Sequence, residues 1–121
     1  MTDNGTGCSC RGYNLDKMLQ PGILLLVRYE RKFGYQIIEE LKENPMFGGM
    51  SPDKTGVYRY LKRMTESGDL KAEEVFDEAS GNLRKCYSMT PKGRACLINW
   101  SGTLRGYVMS INRLIDQIDR V

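Results

Sequence analysis

The chain contains no histidine. That removes the commonest general base near neutral pH and the commonest metal ligand. No segment is long and apolar enough to span a membrane. The longest apolar run, "ILLLV" from Ile23 to Val27, falls far short of the roughly 20 residues required. The first residues, "MTDNGTGCSCRG", are polar and have no signal-peptide core, which points to the cytoplasm. In that compartment the cysteines, Cys8, Cys10, Cys86 and Cys96, are expected to be mostly reduced. There is no phosphate-binding loop and no nucleophile–base set. The carboxylate pairs Glu39-Glu40 and Glu73-Glu74 are adjacent on regular structure, so they diverge rather than converge. An enzyme is not expected.

What is present suits one domain with one modest core, at 121 residues and ordinary apolar content. The net charge of +3 says little, but its distribution says more. Residues 51–68 carry four positive and two negative charges, and residues 90–121 carry five and two, whereas residues 69–89 carry three and five. The two basic blocks could meet a polyanion or could simply be solvated faces.

The glycine-bearing N-terminus reads as a flexible arm. A first helix is expected from near Asn14 or Leu15, with Pro21 restarting or kinking it, and "PGILLLVRYERKF" continuing it. In that stretch Leu24, Leu25, Val27 and Tyr29 would be buried, while Arg28, Arg31 and Lys32 face water. Gly34 would end this helix and open a second, "YQIIEELKEN", whose Ile37, Ile38 and Leu41 form one apolar stripe. "ENPMFGGM" reads as a loop. Ser51 as N-cap and Pro52 as first residue would start a third helix, closed by Gly68.

Beyond Gly68, "DLKAEEVFDE", the turn "ASGN" and "LRKCYSM" read as a two-stranded hairpin. Thr90-Pro91 then starts a long helix that runs to near the C-terminus. The fold class is mainly α with a small β-hairpin (α+β): a winged helix-turn-helix with a long C-terminal dimerisation helix. Its parts are a Cys-containing arm over residues 1–12, the winged helix over 13–90, and the final helix over 91–121.

The third helix has a buried stripe of Val57, Leu61 and Met64. Lys54, Thr55, Arg59 and Lys62 lie off it, and Tyr58 lies at its border. In a helix-turn-helix this element enters the DNA major groove. Lys and Arg neutralise phosphates or reach guanine, and Ser, Thr and Tyr hydroxyls bond phosphate oxygens. Gly56 costs about 1 kcal/mol against alanine in a helix. It either lets a DNA backbone approach or relieves a contact with the preceding helix. Arg84 and Lys85, just after the hairpin tip, are placed to touch phosphates beside the neighbouring minor groove.

These motifs together resemble the PadR-type transcriptional regulators. The matching stretches are "GYQIIEEL" (34–41), "VYRYLKRM" (57–64) followed by "ESGDL" (66–70), and "RKCYSMTPKG" (84–93). The resemblance covers residues 20–98 and implies a homodimeric cytoplasmic repressor. By position, Tyr35 and Tyr58 match family tyrosines near DNA, and Arg84 and Lys85 match the wing cations. The chain departs from the family at Thr55-Gly56, usually Gly-Thr, at Arg59, usually proline, and at Cys86, usually aromatic. The family's base contacts therefore do not carry over. The sites to examine for double-stranded DNA are Tyr35, Ser51, Lys54, Thr55, Tyr58, Arg59, Lys62, Arg84 and Lys85.

On the final helix Leu97, Leu104, Val108, Ile111, Ile115 and Ile118 follow heptad spacing, and a second seam runs through Trp100, Tyr107 and Leu114. That is more apolar surface than a small head covers, so pairing with a second copy is expected. The short final helix resembles the smaller PadR subgroup, some of whose members bind planar aromatic compounds near the dimer axis. Trp100 and Tyr107 are the candidates for stacking on such an effector, against plain packing. Cys8 and Cys10 could bind a soft metal or switch by oxidation, or could be incidental to the arm. No other cofactor is implied. A winged helix that binds protein rather than DNA is the alternative of a different class.

Overall fold

A computed structural model describes residues 18–44 and 53–121. The expected arm, the start of the first helix, the loop after Asn44, and Ser51, Pro52, Cys8 and Cys10 all lie outside the described residues. The elements are α1 (Leu19–Leu26), β1 (Lys32–Phe33), α2 (Gly34–Glu43), α3 (Lys54–Glu66), β2 (Leu70–Asp77), β3 (Asn82–Met89) and α4 (Pro91–Asp119).

In α1, Pro21 lies in the first turn, where its missing N–H has no intrahelical partner to lose. The helix was expected to run on to Phe33, but it stops at Leu26. Arg28, Tyr29, Glu30 and Arg31 are all exposed, so a continuing helix would have had no apolar face to bury. The chain instead turns, and Lys32–Phe33 pair antiparallel with Tyr87 and Cys86. The expected two-stranded hairpin is therefore a three-stranded sheet in the order β1-β3-β2.

Lys32, expected to face water, is largely covered, with its Nζ 3.3 Å from Glu30 Oε1 and 3.2 Å from Glu40 Oε2. Burial alone would lower its pKa, but hydrogen bonds and charge from Glu40 and Glu30 outweigh it and raise the value. The pair with Glu40 ties β1 to α2.

At the start of α3 the cap is Asp53 rather than Ser51: its carboxylate accepts from the Gly56 N–H at 3.2 Å. A carboxylate satisfies the free N–H groups and also meets the positive end of the helix dipole. Gly68, at φ +89°, supplies the left-handed residue that closes the helix.

Ile37, Ile38 and Leu41 of α2, with Val57, Leu61 and Met64 of α3, meet Leu19, Ile23, Leu24 and Val27 around α1. Leu70 and Tyr87 close this core from the sheet. Tyr29 and Leu25, read as buried from the sequence, are exposed.

The first turns of α4 are locked to the end of α3. Thr90 accepts from the Gly93 N–H at 3.0 Å, and its hydroxyl lies 2.6 Å from the Gly68 carbonyl oxygen. Lys92 Nζ donates to the Ser67 carbonyl. A side chain at Gly93 would collide with the Asp69 carbonyl. Buried Asp69 accepts from Ser67 Oγ at 3.0 Å and from Gln20 Nε2 at 3.5 Å, and Gln20 Oε1 accepts from the Trp100 indole at 3.2 Å. Cys96, Leu97 and Trp100 complete the packing of α4 on the head.

Candidate nucleic-acid interface

With Val57, Leu61 and Met64 turned inward, α3 presents Lys54, Thr55, Arg59 and Lys62 to solvent. Among the described residues, no ion pair includes Lys54, Arg59, Lys62 or Lys85. Four cations thus keep their charge available at one surface. Gly56 lies in the same first turn. Among the described residues, a Cβ there would meet only the Asp53 side chain, at an ordinary 3.6 Å. Among the described residues nothing of the preceding helix approaches it, so helix packing does not account for this glycine.

Tyr58 is seated by Gly34. A Cβ at residue 34 would come within 2.7 Å of the Tyr58 ring, so the bare backbone at the start of α2 makes room for the phenol. Beside it, Tyr35 stacks on Phe33 with ring centroids 5.8 Å apart. The Arg84 guanidinium lies 5.6 Å from the centroid of Tyr35. Partial desolvation, and after it the Asp77 carboxylate, hold the Tyr35 pKa above the ordinary phenol value, with Arg84 opposing. Burial does the same for Tyr87, with Tyr58 adding to it. Both phenols are neutral, and able to donate hydrogen bonds, at physiological pH.

The two wing cations differ. Arg84, though exposed, is paired with its own wing: its Nε lies 3.4 Å from Asp77 Oδ2 and 3.0 Å from Ser80 Oγ. Asp77 is buried, and its Oδ1 accepts from the Ala79 N–H at 3.1 Å. Among the described residues its Oδ2 has no well-aligned hydrogen bond, and it faces the Arg84 charge. Lys85 points to the other face of the strand, opposite Glu74.

Tyr35, Tyr58, Lys62, Leu83, Arg84 and Lys85 line one open cleft of about 650 Å³ between α3, the start of α2 and the hairpin. Eight of the nine sequence-predicted DNA residues therefore line this cleft or lie on the exposed face of α3. Lys54, Thr55 and Arg59 are on that face rather than in the cleft, and Ser51 is outside the described residues. Sequence reasoning missed Asp77, Gly34 and Leu83. Only Asp77 left a signal, as an Asp opening a turn whose N–H groups it can accept.

The remaining predicted residues are elsewhere. Leu97 and Trp100 pack against their own head. Leu104 is half-buried, and Tyr107, Val108, Ile111, Ile115 and Ile118 are exposed along α4. Burial pushes the thiol pKa of Cys86 up, and burial followed by the Asp69 carboxylate does so for Cys96, so neither is poised as a thiolate. Among the described residues no three potential ligands gather into a metal site. Nor is any described helix long and apolar enough to cross a membrane.

Solved structures share this fold. A transcriptional regulator from Thermoplasma acidophilum superposes with a TM-score of 0.72 at 24% identity, covering 84% of this chain and 94% of that one. A PadR-like regulator from Bacillus cereus gives 0.67 at 23% identity, with 84% and 94% covered. Bacillus subtilis PadR, whose structure is a complex with operator DNA, gives 0.60 at 22% identity, with 77% and 59% covered. No curated protein matches the chain. The pattern of the transcriptional regulator PadR-like family matches residues 23–99, from the middle of α1 through the wing to the docked turns of α4. With that span matched and the winged-helix fold in place, the chain belongs to the PadR-like family of transcriptional regulators, a family of regulators and not of enzymes.

Proposed function

We propose that the chain is a homodimeric repressor that binds duplex DNA sequence-specifically and is released by a small planar aromatic effector. The observation that carries the DNA reading is the gathering of Lys54, Thr55, Tyr58, Arg59 and Lys62 on one face of α3, next to Tyr35 and Lys85. In this reading α3 enters the major groove and the β2–β3 wing reaches the adjacent minor groove. The free cations contact phosphates, and the tyrosine and threonine hydroxyls fix the register. The Bacillus subtilis relative bound to operator DNA supports it.

The homodimer is supported by the far part of α4, where Val108, Ile111, Leu114, Ile115 and Ile118 remain between 46% and 61% exposed. Two such helices packed together would bury the seam and hold two α3 helices at a fixed spacing, as a palindromic site requires. Ser101, Leu104, Arg105, Val108 and Met109 form a shallow, mostly apolar stripe along one side of α4. It lies beside Trp100 and Tyr107 in sequence, and in this reading the effector stacks on those two rings next to it.

The test is a fluorescence anisotropy titration with duplex from immediately upstream of the protein's own gene, at two salt concentrations. The expected result is sequence-preferring binding that weakens steeply with salt, because each phosphate contact releases counterions. Addition of planar aromatic compounds should then raise the apparent Kd. Salt-insensitive behaviour, with no preference over random duplex, would instead favour a winged helix that binds protein.

A further inference from the structure

The wing carries an apolar pair that the core does not use. Phe76 and Leu83 are register partners across β2 and β3. They are 57% and 62% exposed. Cross-strand partners share a sheet face, and so do alternate residues. Phe76 and Leu83 therefore continue the face formed at the base of the hairpin by Ala72 opposite Tyr87, and further out by Glu74 opposite Lys85. Tyr87 is buried under the head at one end of this face, and the apolar pair stands in water at the other. Leu83 lines the same cleft as Tyr58, Lys62 and Lys85, so the pair lies on the side of the wing turned toward the free cations. Leaving two large apolar side chains there costs hydrophobic free energy that a bound partner would recover.

We propose that Phe76 and Leu83 form an apolar tip that packs into the minor groove of the bound duplex, against its sugars and base edges, while Lys85 sits on the phosphate wall. This rests on the DNA reading above. The dimensions agree. Two residues along a strand separate Leu83 from Lys85 by about 7 Å. The minor groove is about 7.5 Å deep, so with Leu83 near the groove floor the same hairpin face brings Lys85 to the phosphate wall. Apolar side chains are a known means by which proteins engage and bend this groove. The Lys85 charge two residues away holds the tip against a polyanion.

The test is the double variant Phe76→Thr with Leu83→Thr, which keeps a strand-favouring residue at both positions. It is titrated against the operator duplex across a salt series, next to wild type and Lys85→Ala. The double variant should bind about tenfold or more weakly at every salt concentration. Its slope of log K against log salt should equal that of wild type, because the lost contact displaces no counterions. Lys85→Ala should reduce the slope by about 1.

Unchanged affinity in the double variant would overturn the inference. So would a slope that falls with the affinity, since the pair would then only support the hairpin that carries Lys85. A change in the mass of the free protein by sedimentation would also overturn it, by assigning the pair to a protein interface. Wild-type protein that binds no duplex would overturn the DNA reading itself, and the same titration shows this before any variant is compared.

Discussion

In the first turns of α4, Cys96, Leu97 and Trp100 lie against the core of the head, and Thr90, Lys92 and Gly93 fasten the helix to the end of α3. Further along the same helix, Val108, Ile111, Leu114, Ile115 and Ile118 are exposed, and nothing among the described residues lies within 4 Å of where a side chain would stand at Gly102 or Gly106. The apolar repeat is continuous through both halves. What differs is that the head reaches only the first half. A heptad pattern therefore reports that a helix face needs covering and is silent on which chain covers it. Leu97 and Trp100 belong to the fold of one chain, whereas the seam beyond them is exposed, and in the proposed homodimer a second copy covers it.

This contrast can be broken from either side. The largest effect is expected from Ile111→Asp with Ile115→Asp. Two carboxylates in an apolar seam cost several kcal/mol per dimer, about 2–4 kcal/mol at least. Sedimentation should find monomer, and affinity for a palindromic duplex should fall on the order of a hundredfold. The melting of the head should stay in place.

Leu97→Ala should do the opposite. It should cost the fold about 1–2 kcal/mol, the low end for a partly covered leucine, seen in thermal melts and with the self-association of folded protein unchanged. The smallest effect sharpens the reading of α3. Gly56→Ala should stabilise the helix by about 0.5–1 kcal/mol while weakening operator binding, because the added methyl has room among the described residues and would meet an approaching DNA backbone. A stabilised variant that binds as well as wild type would show that nothing approaches there.

Much of the head was legible in the sequence because its signals are local. The α2 stripe of Ile37, Ile38 and Leu41, the α3 stripe of Val57, Leu61 and Met64, the Gly68 closure and the Thr90-Pro91 start each depend on a few neighbouring residues, and each appears in the structure. β1 was not legible. Two residues carry no periodicity, and Lys32–Phe33 are extended only because β3, more than fifty positions on, offers its edge.

The cap of α3 was misplaced by two residues because Ser51 and Asp53 are both competent caps, and pattern alone does not choose between them. The interface was legible as a list of residue types but not in its division of labour. That Arg84 is held by buried Asp77 while Lys85 is left free follows from strand alternation and the turn at residues 78–81, not from the "RK" pair itself.

The measurement that tests the central claim most directly is the charge reversal Lys54→Glu with Arg59→Glu and Lys62→Glu, titrated by anisotropy against the duplex that wild type binds. The three side chains are exposed and unpaired among the described residues, so the melting temperature should hold. If these cations read DNA, binding should be abolished at every salt concentration. A folded triple variant that binds the same duplex with wild-type affinity and salt slope would contradict the assignment of this face of α3 to DNA.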